Sequence, residues 1–284
     1  MIKRSLKTVS ISIARYLLGF GLFQTVCDIF LIASFSKTKT IGYCNKIFHF
    51  TVPNKLCLWR VNTFFTKEPE TLEWINSFQP GSLFLDVGSN IGLYSIFAAK
   101  MKDSKVYSFE PSAFNLPILA KNISLNKLHD LITIVPLPLT NHQISENDLT
   151  LSTDSFGGAL HTFQETYTWD GSRINNSTKY RTIGFSLDYF SELISNIKPR
   201  YLKIDVDGIE HLILQGAENT LREIEQIQIE INDNFELQSI NCQKILTKAG
   251  FSLMYKRHSD MIETSSAGFS YTYNQLWTND NYIA

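Results

Sequence analysis

Apolar positions along the chain follow two rhythms. Short unbroken runs, such as Leu83, Phe84 and Leu85 before Val87, predict buried strands, and stretches with apolar residues at helical spacing predict helices. Together they give strand 83–87, helix 92–101, strand 105–109, helix 113–126 and strand 131–136. After a break come helix 187–195, strand 201–206, helix 210–222, strand 226–231, helix 236–248, strand 251–256 and a last strand over 271–278. Strand and helix in alternation predict an α/β fold, a mostly parallel sheet with helices on both faces. Ahead of it, a helix over 69–78 leads through Pro80 and Gly81 into the first strand, and residues 45–66 alternate around Pro53 and Asn54 as a hairpin would. Residues 137–180, rich in Ser, Thr, Asn, Gly and aromatic residues, read as a long excursion holding one hairpin, and loops of that length are usually functional. No repeat is visible. The organisation predicted is one domain over 45–284 behind an apolar helical extension over 1–44.

Composition narrows the classes. The 284 residues are 44% hydrophobic, enough for a sizeable core. The formal net charge of -1, with no basic stripe, argues against a nucleic-acid partner held through its phosphates. Cys27, Cys44, Cys57 and Cys242 are scattered, which predicts neither a zinc site nor a disulfide framework and fits a reducing cytoplasm. In the extension, residues 16–35 are apolar over about 20 positions, long enough to span a bilayer. Asp28 sits inside that stretch, where a charge costs about 2.5–3.5 kcal/mol, and Gly19, Gly21 and Gln24 dilute it. Three readings stay open: a helix packed on the domain or a partner, a helix at the membrane surface through residues 1–36, and a span.

The chemistry begins at "SLFLDVGSNIGLYSIFAAK", residues 82–100, where an apolar strand ends on Asp86 and a polar turn is bracketed by Gly88 and Gly92. A helix begins there with unpartnered N–H groups, and glycines let the backbone bend and approach a ligand. The next strand, in "KVYSFEPSAFNLPILAKN", ends on Glu110, 24 residues after Asp86, where nucleoside-binding α/β folds hold a ribose hydroxyl pair. A dinucleotide fingerprint needs G-x-G-x-x-G; this turn is G-S-N-I-G. The missing middle glycine and the acid at 86 speak against a pyrophosphate, and so against an NAD-dependent reductase. They suit a cofactor carrying ammonium and sulfonium cations, S-adenosylmethionine. The cofactor set is then Asp86, Gly88, Ser89, Asn90, Gly92, Glu110 and Pro111.

With these motifs the chain resembles the FkbM family of S-adenosylmethionine-dependent methyltransferases. The matching stretches run from "KEPETLEWI" through "PGSLFLDVGSNIGLYS", "VYSFEPSAFNLPILAKNISLN" and "SLDYF" to "YLKIDVDGIEHLILQGAENTL" and "IQIEIN", over residues 60–257. The resemblance implies a Rossmann-like class I methyltransferase fold, an Asn90 contact to the cofactor's amino-acid end, and methylation of a hydroxyl on a saccharide or glycosylated metabolite. It departs in the first fifty residues and in the segment after the third strand.

Ligands of such sheets bind beyond the carboxyl ends of the strands. The strand over 201–206 ends with Asp205, Asp207, Gly208, Glu210 and His211, and the strand over 226–231 with Glu230, Asn232 and Asp233. Alternation puts Asp205 and Asp207 on one face, with Lys203 deeper. Removing a proton from a sugar-type hydroxyl benefits from a base, and the candidates are Asp205 and Asp207, then His211. A magnesium or calcium ion held by Asp205 with Glu230 or Asn232 is the alternative way to acidify the acceptor. Asp207 has a competing reading as the cap of the following helix, and Asp188 one as the cap of its own. In the excursion, Phe156, Gly157, Gly158, His161, Trp169, Asp170 and Arg173 suit either recognition of a sugar ring or a mobile lid. The reading of another class is a non-catalytic, membrane-associated nucleoside-binding or scaffold protein.

Overall fold

The computed structural model describes residues 13, 16, 17, 19, 21–174, 178–195, 197–258, 261 and 269–283. Most of the first twenty residues lie outside the described residues. The extension is seen as one helix, α1 (Gly21–Ser36). A hairpin follows, β1 (Thr38–Tyr43) and β2 (Lys46–Thr51), with Tyr43 opposite Lys46. Its two-residue loop, Cys44 and Asn45, has positive φ at both positions (44° and 61°), as a type I′ turn requires. The hairpin expected around Pro53 and Asn54 therefore lies earlier. Asn54 is instead a helix cap: its side chain accepts the Cys57 N–H at 2.8 Å and starts α2 (Lys55–Asn62), which α3 (Phe64–Lys67) and α4 (Pro69–Asn76) follow. The boundary expected after residue 44 falls inside the hairpin. Because Phe48 and Phe50 are fully buried in the main core, the domain begins at the hairpin and not behind it.

The main sheet is built from β3 (Leu83–Val87), β4 (Lys105–Phe109), β5 (Ile132–Val135), β9 (Tyr201–Ile204), β10 (Gln226–Asn232), β11 (Phe251–Arg257) and β12 (Thr272–Asn279), in the order β11-β12-β10-β9-β3-β4-β5. All its pairings are parallel except those of β12, which runs antiparallel to β10 and β11. The fold is thus the Rossmann-like α/β class expected. Helices cover both faces because the strands are apolar on both: Phe84, Val106 and Ile132 pack with α4, α5 (Leu93–Lys102) and α6 (Leu116–Leu125). Their neighbours Leu85, Val87, Leu202 and Ile229 pack with α7 (Leu187–Leu193), α8 (Glu210–Gln215) and α9 (Glu236–Lys248).

Two expected elements differ. The excursion is a three-stranded antiparallel sheet, β6 (Ile144–Leu151) between β7 (Thr162–Phe163) and β8 (Thr178–Phe185), closed over Leu149, Leu151, Phe163 and Ile209. The helix expected over 210–222 stops at Gln215, since Gly216 passes so close to the chain at Thr140 that a Cβ would meet its carbonyl oxygen at 2.3 Å. Asp188 does not cap α7. Ser186 does, accepting the Tyr189 N–H, and Asp188 holds the Asn219 and Thr220 N–H groups.

Candidate active site

Register places the site. Val87, Phe109, Ile204 and Ile229 lie in one row across four parallel strands, so the residues that follow them, Gly88, Glu110, Asp205 and Glu230, emerge together at the carboxyl edge. The strand order reverses between β4 and β9 about β3, the place where such sheets open a crevice. A cavity of about 430 Å³ lies there.

At its β3 end the turn is tied to the next strand. Glu110 accepts the Asn90 N–H with one oxygen and the Ser112 N–H with the other, each at 2.8 Å. Burial raises the Glu110 carboxyl to about 7 against the pull of these two donors. Gly88, Ser89, Asn90, Glu110 and Pro111 line the cavity. Asp86 does not: it is buried beneath the turn, its Oδ2 accepting the Ser95 hydroxyl at 2.5 Å, and burial pushes its carboxyl up. The glycines serve the protein's own packing. A Cβ on Gly88 (φ 88°) would sit 1.8 Å from the Asp205 carbonyl oxygen, and one on Gly92 (φ 85°) 2.5 Å from Leu119.

At the β9 and β10 ends five carboxylates, Glu68, Glu70, Asp205, Asp207 and Glu230, line the cavity with the Lys67 ammonium and the Arg60 guanidinium, while the Lys203 ammonium lies behind them. Lys203 meets Asp205 and Lys67 meets Glu68, each at 2.5 Å. Burial opposes the charge of Lys203, but Asp205, Glu68 and Asp86 outweigh it and hold the ammonium above the usual lysine range. Burial likewise opposes the charge of Glu68, yet Lys67 and Lys203 pull its carboxyl down to about 2. Glu230 has no such ammonium of its own; burial and the Asp205 charge push it well above the carboxylate range. Asp207 stands in a left-handed turn (φ 65°), accepts the Leu160 N–H at 2.7 Å through Oδ2, and is raised to about 6 by burial and by Asp205. It caps no helix. No side chain caps α8; Glu210, its first residue, instead holds the loop before it, accepting the Val206 and Gly208 N–H groups at 3.1 and 3.0 Å.

Two expected site residues fall elsewhere. His211 points into the protein from the first turn of α8, buried and outside the cavity lining. Asn232 also lies outside it, its amide accepting the Asn234 N–H and donating to the Trp169 carbonyl. The oxygen donors that do converge are Glu68, Asp205 and Glu230, within 4.8 Å of one another. Two of these three already carry an ammonium, and a dication between them would face both cations. The donor set does not fit a resident divalent ion.

Sequence reasoning missed the residues ahead of β3: Trp59, Arg60, Phe64, Lys67 and Glu68 all line the cavity. The signal available was indirect, a run of cations and aromatics on short helices. They also hold the excursion down. Asn54 and Arg60 donate to the Phe156 and Gly157 carbonyls (2.8 and 2.7 Å), and Asn90 and Asn115 to that of Gly158 (2.6 and 3.0 Å). Residues 156–158 form a fastened roof over the turn rather than a loose lid. Asp170 closes its own turn through Thr168 and Ser172, Trp169 stacks on Phe269 with centroids 4.3 Å apart, and Arg173 bridges to Tyr167; none of the three lines the cavity.

Buried polar atoms of the cavity wall lack a partner among the described residues: Asn90 Oδ1, His161 Nε2, Thr272 Oγ1 and Asn274 Oδ1. His161 Nδ1 accepts the Ser152 N–H, so Nε2 carries the proton, and burial with the Arg60 charge holds the ring neutral with a pKa of about 4. Unmet buried groups of this kind call for a partner, ordered water or a bound ligand.

Residues 86–271 match the model of the methyltransferase FkbM domain family. No curated protein matches the chain. Among solved structures, precorrin-6y C5,15-methyltransferase from Geobacter metallireducens is similar at 12% identity and TM-score 0.41, over 74% of this chain and 85% of that one. M. capricolum TrmK in complex with S-adenosyl-homocysteine is similar at 13% identity and TM-score 0.43, over 75% and 68%. An rRNA methylase from Streptococcus thermophilus is similar at 12% identity and TM-score 0.44, over 74% and 94%.

Proposed function

The chain belongs to the FkbM methyltransferase family, whose model covers well over half of it, and from that premise we propose that it moves a methyl group from S-adenosylmethionine to a hydroxyl of a saccharide or glycosylated small molecule. The observation that carries the reading is the charge surplus at the strand ends. Six carboxyl groups, Glu68, Glu70, Glu110, Asp205, Asp207 and Glu230, line the cavity with two cations, Arg60 and Lys67, the Lys203 ammonium lies behind them, and burial together with the Asp205 charge pushes Glu230 toward its neutral form. A ligand with a net positive charge relieves that excess; a pyrophosphate would add to it. At the turn, Glu110 and the unpartnered Asn90 Oδ1 are acceptors for ribose hydroxyls and an ammonium.

When bound, S-adenosylmethionine supplies an electrophilic methyl on a sulfonium. The chain's own task is to align the acceptor oxygen and take its proton. Asp207 suits the second role: one oxygen is fixed by Leu160, no hydrogen bond to Oδ1 is seen among the described residues, and a carboxyl near 6 is ionised at neutral pH yet more basic than an ordinary aspartate. Asp205 is engaged by Lys203 and acts as its electrostatic neighbour. Glu230, pushed by burial and the Asp205 charge toward its neutral form, stands opposite Asn274 on β12, whose side-chain carbonyl has no partner among the described residues. The faces of Trp59 and Phe269 in the same wall suit the apolar side of a sugar ring. Thermal melting tests the donor: S-adenosylmethionine and S-adenosylhomocysteine should raise the midpoint and NAD should not. Radiolabelled methyl transfer into a panel of glycosides tests the acceptor. A shift with NAD alone, or label only in non-hydroxyl acceptors, refutes the reading.

A further inference from the structure

Charge is segregated along this chain. Of its 26 basic and 27 acidic residues, ten basic and a single acid, Asp28, lie at or before Lys67, leaving 16 basic and 26 acidic beyond it. The near-neutral total hides a strongly basic front and an acidic body. Within that front stands α1, and its apolar side chains are out in the open: Ile29 is 59%, Phe30 72%, Leu31 64% and Ile32 65% exposed. These four are consecutive and so occupy every side of one helical turn. A groove on another protein covers one side of a helix; a helix apolar all round is stable when surrounded. A membrane surface offers an apolar layer to most of that turn and leaves the polar residues of α1 in the headgroups.

The cations sit where such a helix needs them. Exposed Lys37 and Lys39 follow it directly, and Lys3, Arg4, Lys7 and Arg15 precede it with no acid among them. Among the described residues no helix is long and apolar enough to cross a membrane, and Asp28, in the middle of α1, opposes full burial in hydrocarbon. We propose that α1 inserts into the surface of an anionic bilayer, its apolar turn among the acyl chains and its flanking lysines on lipid phosphates. The docking helix touches the segment that roofs the turn. Phe35 packs edge-on against Phe156 with centroids 4.9 Å apart, and Phe156 begins the roof that Asn90 and Asn115 hold over the turn. Docking itself does not depend on methyl transfer; an acceptor carried at the membrane would rest on the function proposed above.

Phosphates of RNA would attract the same cations but leave the apolar turn in water, so the test separates the two. The 284-residue chain is floated with vesicles of phosphatidylcholine alone and of phosphatidylcholine with about one third phosphatidylglycerol. Binding should be about tenfold stronger to the anionic vesicles, and should fall about tenfold or more in Phe30→Asp/Ile32→Asp and in Lys37→Gln/Lys39→Gln. Since these side chains are exposed, melting midpoints should match the parent. Failure to float with anionic vesicles overturns the proposal, as does undiminished binding by the Phe30→Asp/Ile32→Asp variant. Retention on labelled single-stranded RNA as tight as on vesicles would overturn it in favour of a nucleic-acid partner.

Discussion

Asp207 is the residue at which acidity and activity meet. Its carboxyl, lifted to about 6 by burial and by Asp205, loses its proton as pH rises through that value, so a base role makes kcat climb through about pH 6 and then level. Asp207→Asn should lower kcat by roughly 10²–10⁴-fold and leave the melting shift with S-adenosylhomocysteine in place; parent-like turnover moves the base elsewhere. Glu68 tests the ion network. It is buried beside Lys67 and within the field of Lys203, and removing one partner of a buried pair costs about 3–5 kcal/mol. Lys67 is partly exposed, so the lower end is expected for Glu68→Gln in denaturant melts, with much of it recovered in Lys67→Met/Glu68→Gln. The folded carboxyl is depressed, so its stabilisation is present above about 4.5 and is lost as pH falls toward about 2. A parent-like Glu68→Gln would show that the pair holds nothing. Asp205 and Asp207 were legible because they end an apolar strand. Glu68 was not, since it belongs to no strand, and His211 was misplaced because nearness in sequence says nothing about which side of α8 faces the cavity.

Among elements, the β3 turn is the most constrained. Gly88 has a positive φ and no space for a side chain, because the end of β9 runs against it. Gly88→Ala should destabilise by about 2–6 kcal/mol, from backbone strain of ~1–3 and overpacking of ~1–3, and should weaken cofactor binding further by prising Asp205 from the turn. A variant that melts with the parent would mean the two strand ends yield easily. The alternation of β3, α5, β4 and α6 was readable because continuous apolar strands and helical spacing differ in period and both are long. The hairpin and the excursion were not. The β1–β2 loop uses Cys44 and Asn45, neither of them glycine, and β6, β7 and β8 are polar on their open side and depend on Ile209, distant in sequence, for cover. The tie between residues 156–158 and Asn54, Arg60, Asn90 and Asn115 joins segments far apart in sequence, and no local pattern announces it.

At the scale of the whole molecule, the family match starts at Asp86 but the folded body starts some fifty residues earlier. Phe48, Phe50, Cys57, Val61 and Phe64 are buried in the core that also holds α5 and α6, and Trp59, Arg60, Lys67 and Glu68 form one side of the cavity. Burying each large apolar side chain contributes about 1.5–3 kcal/mol, so removing this layer takes away about as much as the 5–15 kcal/mol by which a typical domain is stable. A chain beginning at Ser82 should therefore fail to melt cooperatively, although it retains the whole matched region. By contrast, α1 touches the body through few groups: Ser34 donates to the Pro53 carbonyl, Lys121 donates to that of Phe35, and Phe35 meets Phe156. A chain beginning at Lys37 loses two hydrogen bonds, about 0.5–1.5 kcal/mol each, and the packing of the partly buried Phe35, but no fully buried side chain. It should melt within a few degrees of the full chain, keep the shift with S-adenosylhomocysteine, and lose vesicle binding. Cooperative melting of the chain from Ser82, or collapse of the chain from Lys37, would show that the division between body and anchor lies elsewhere.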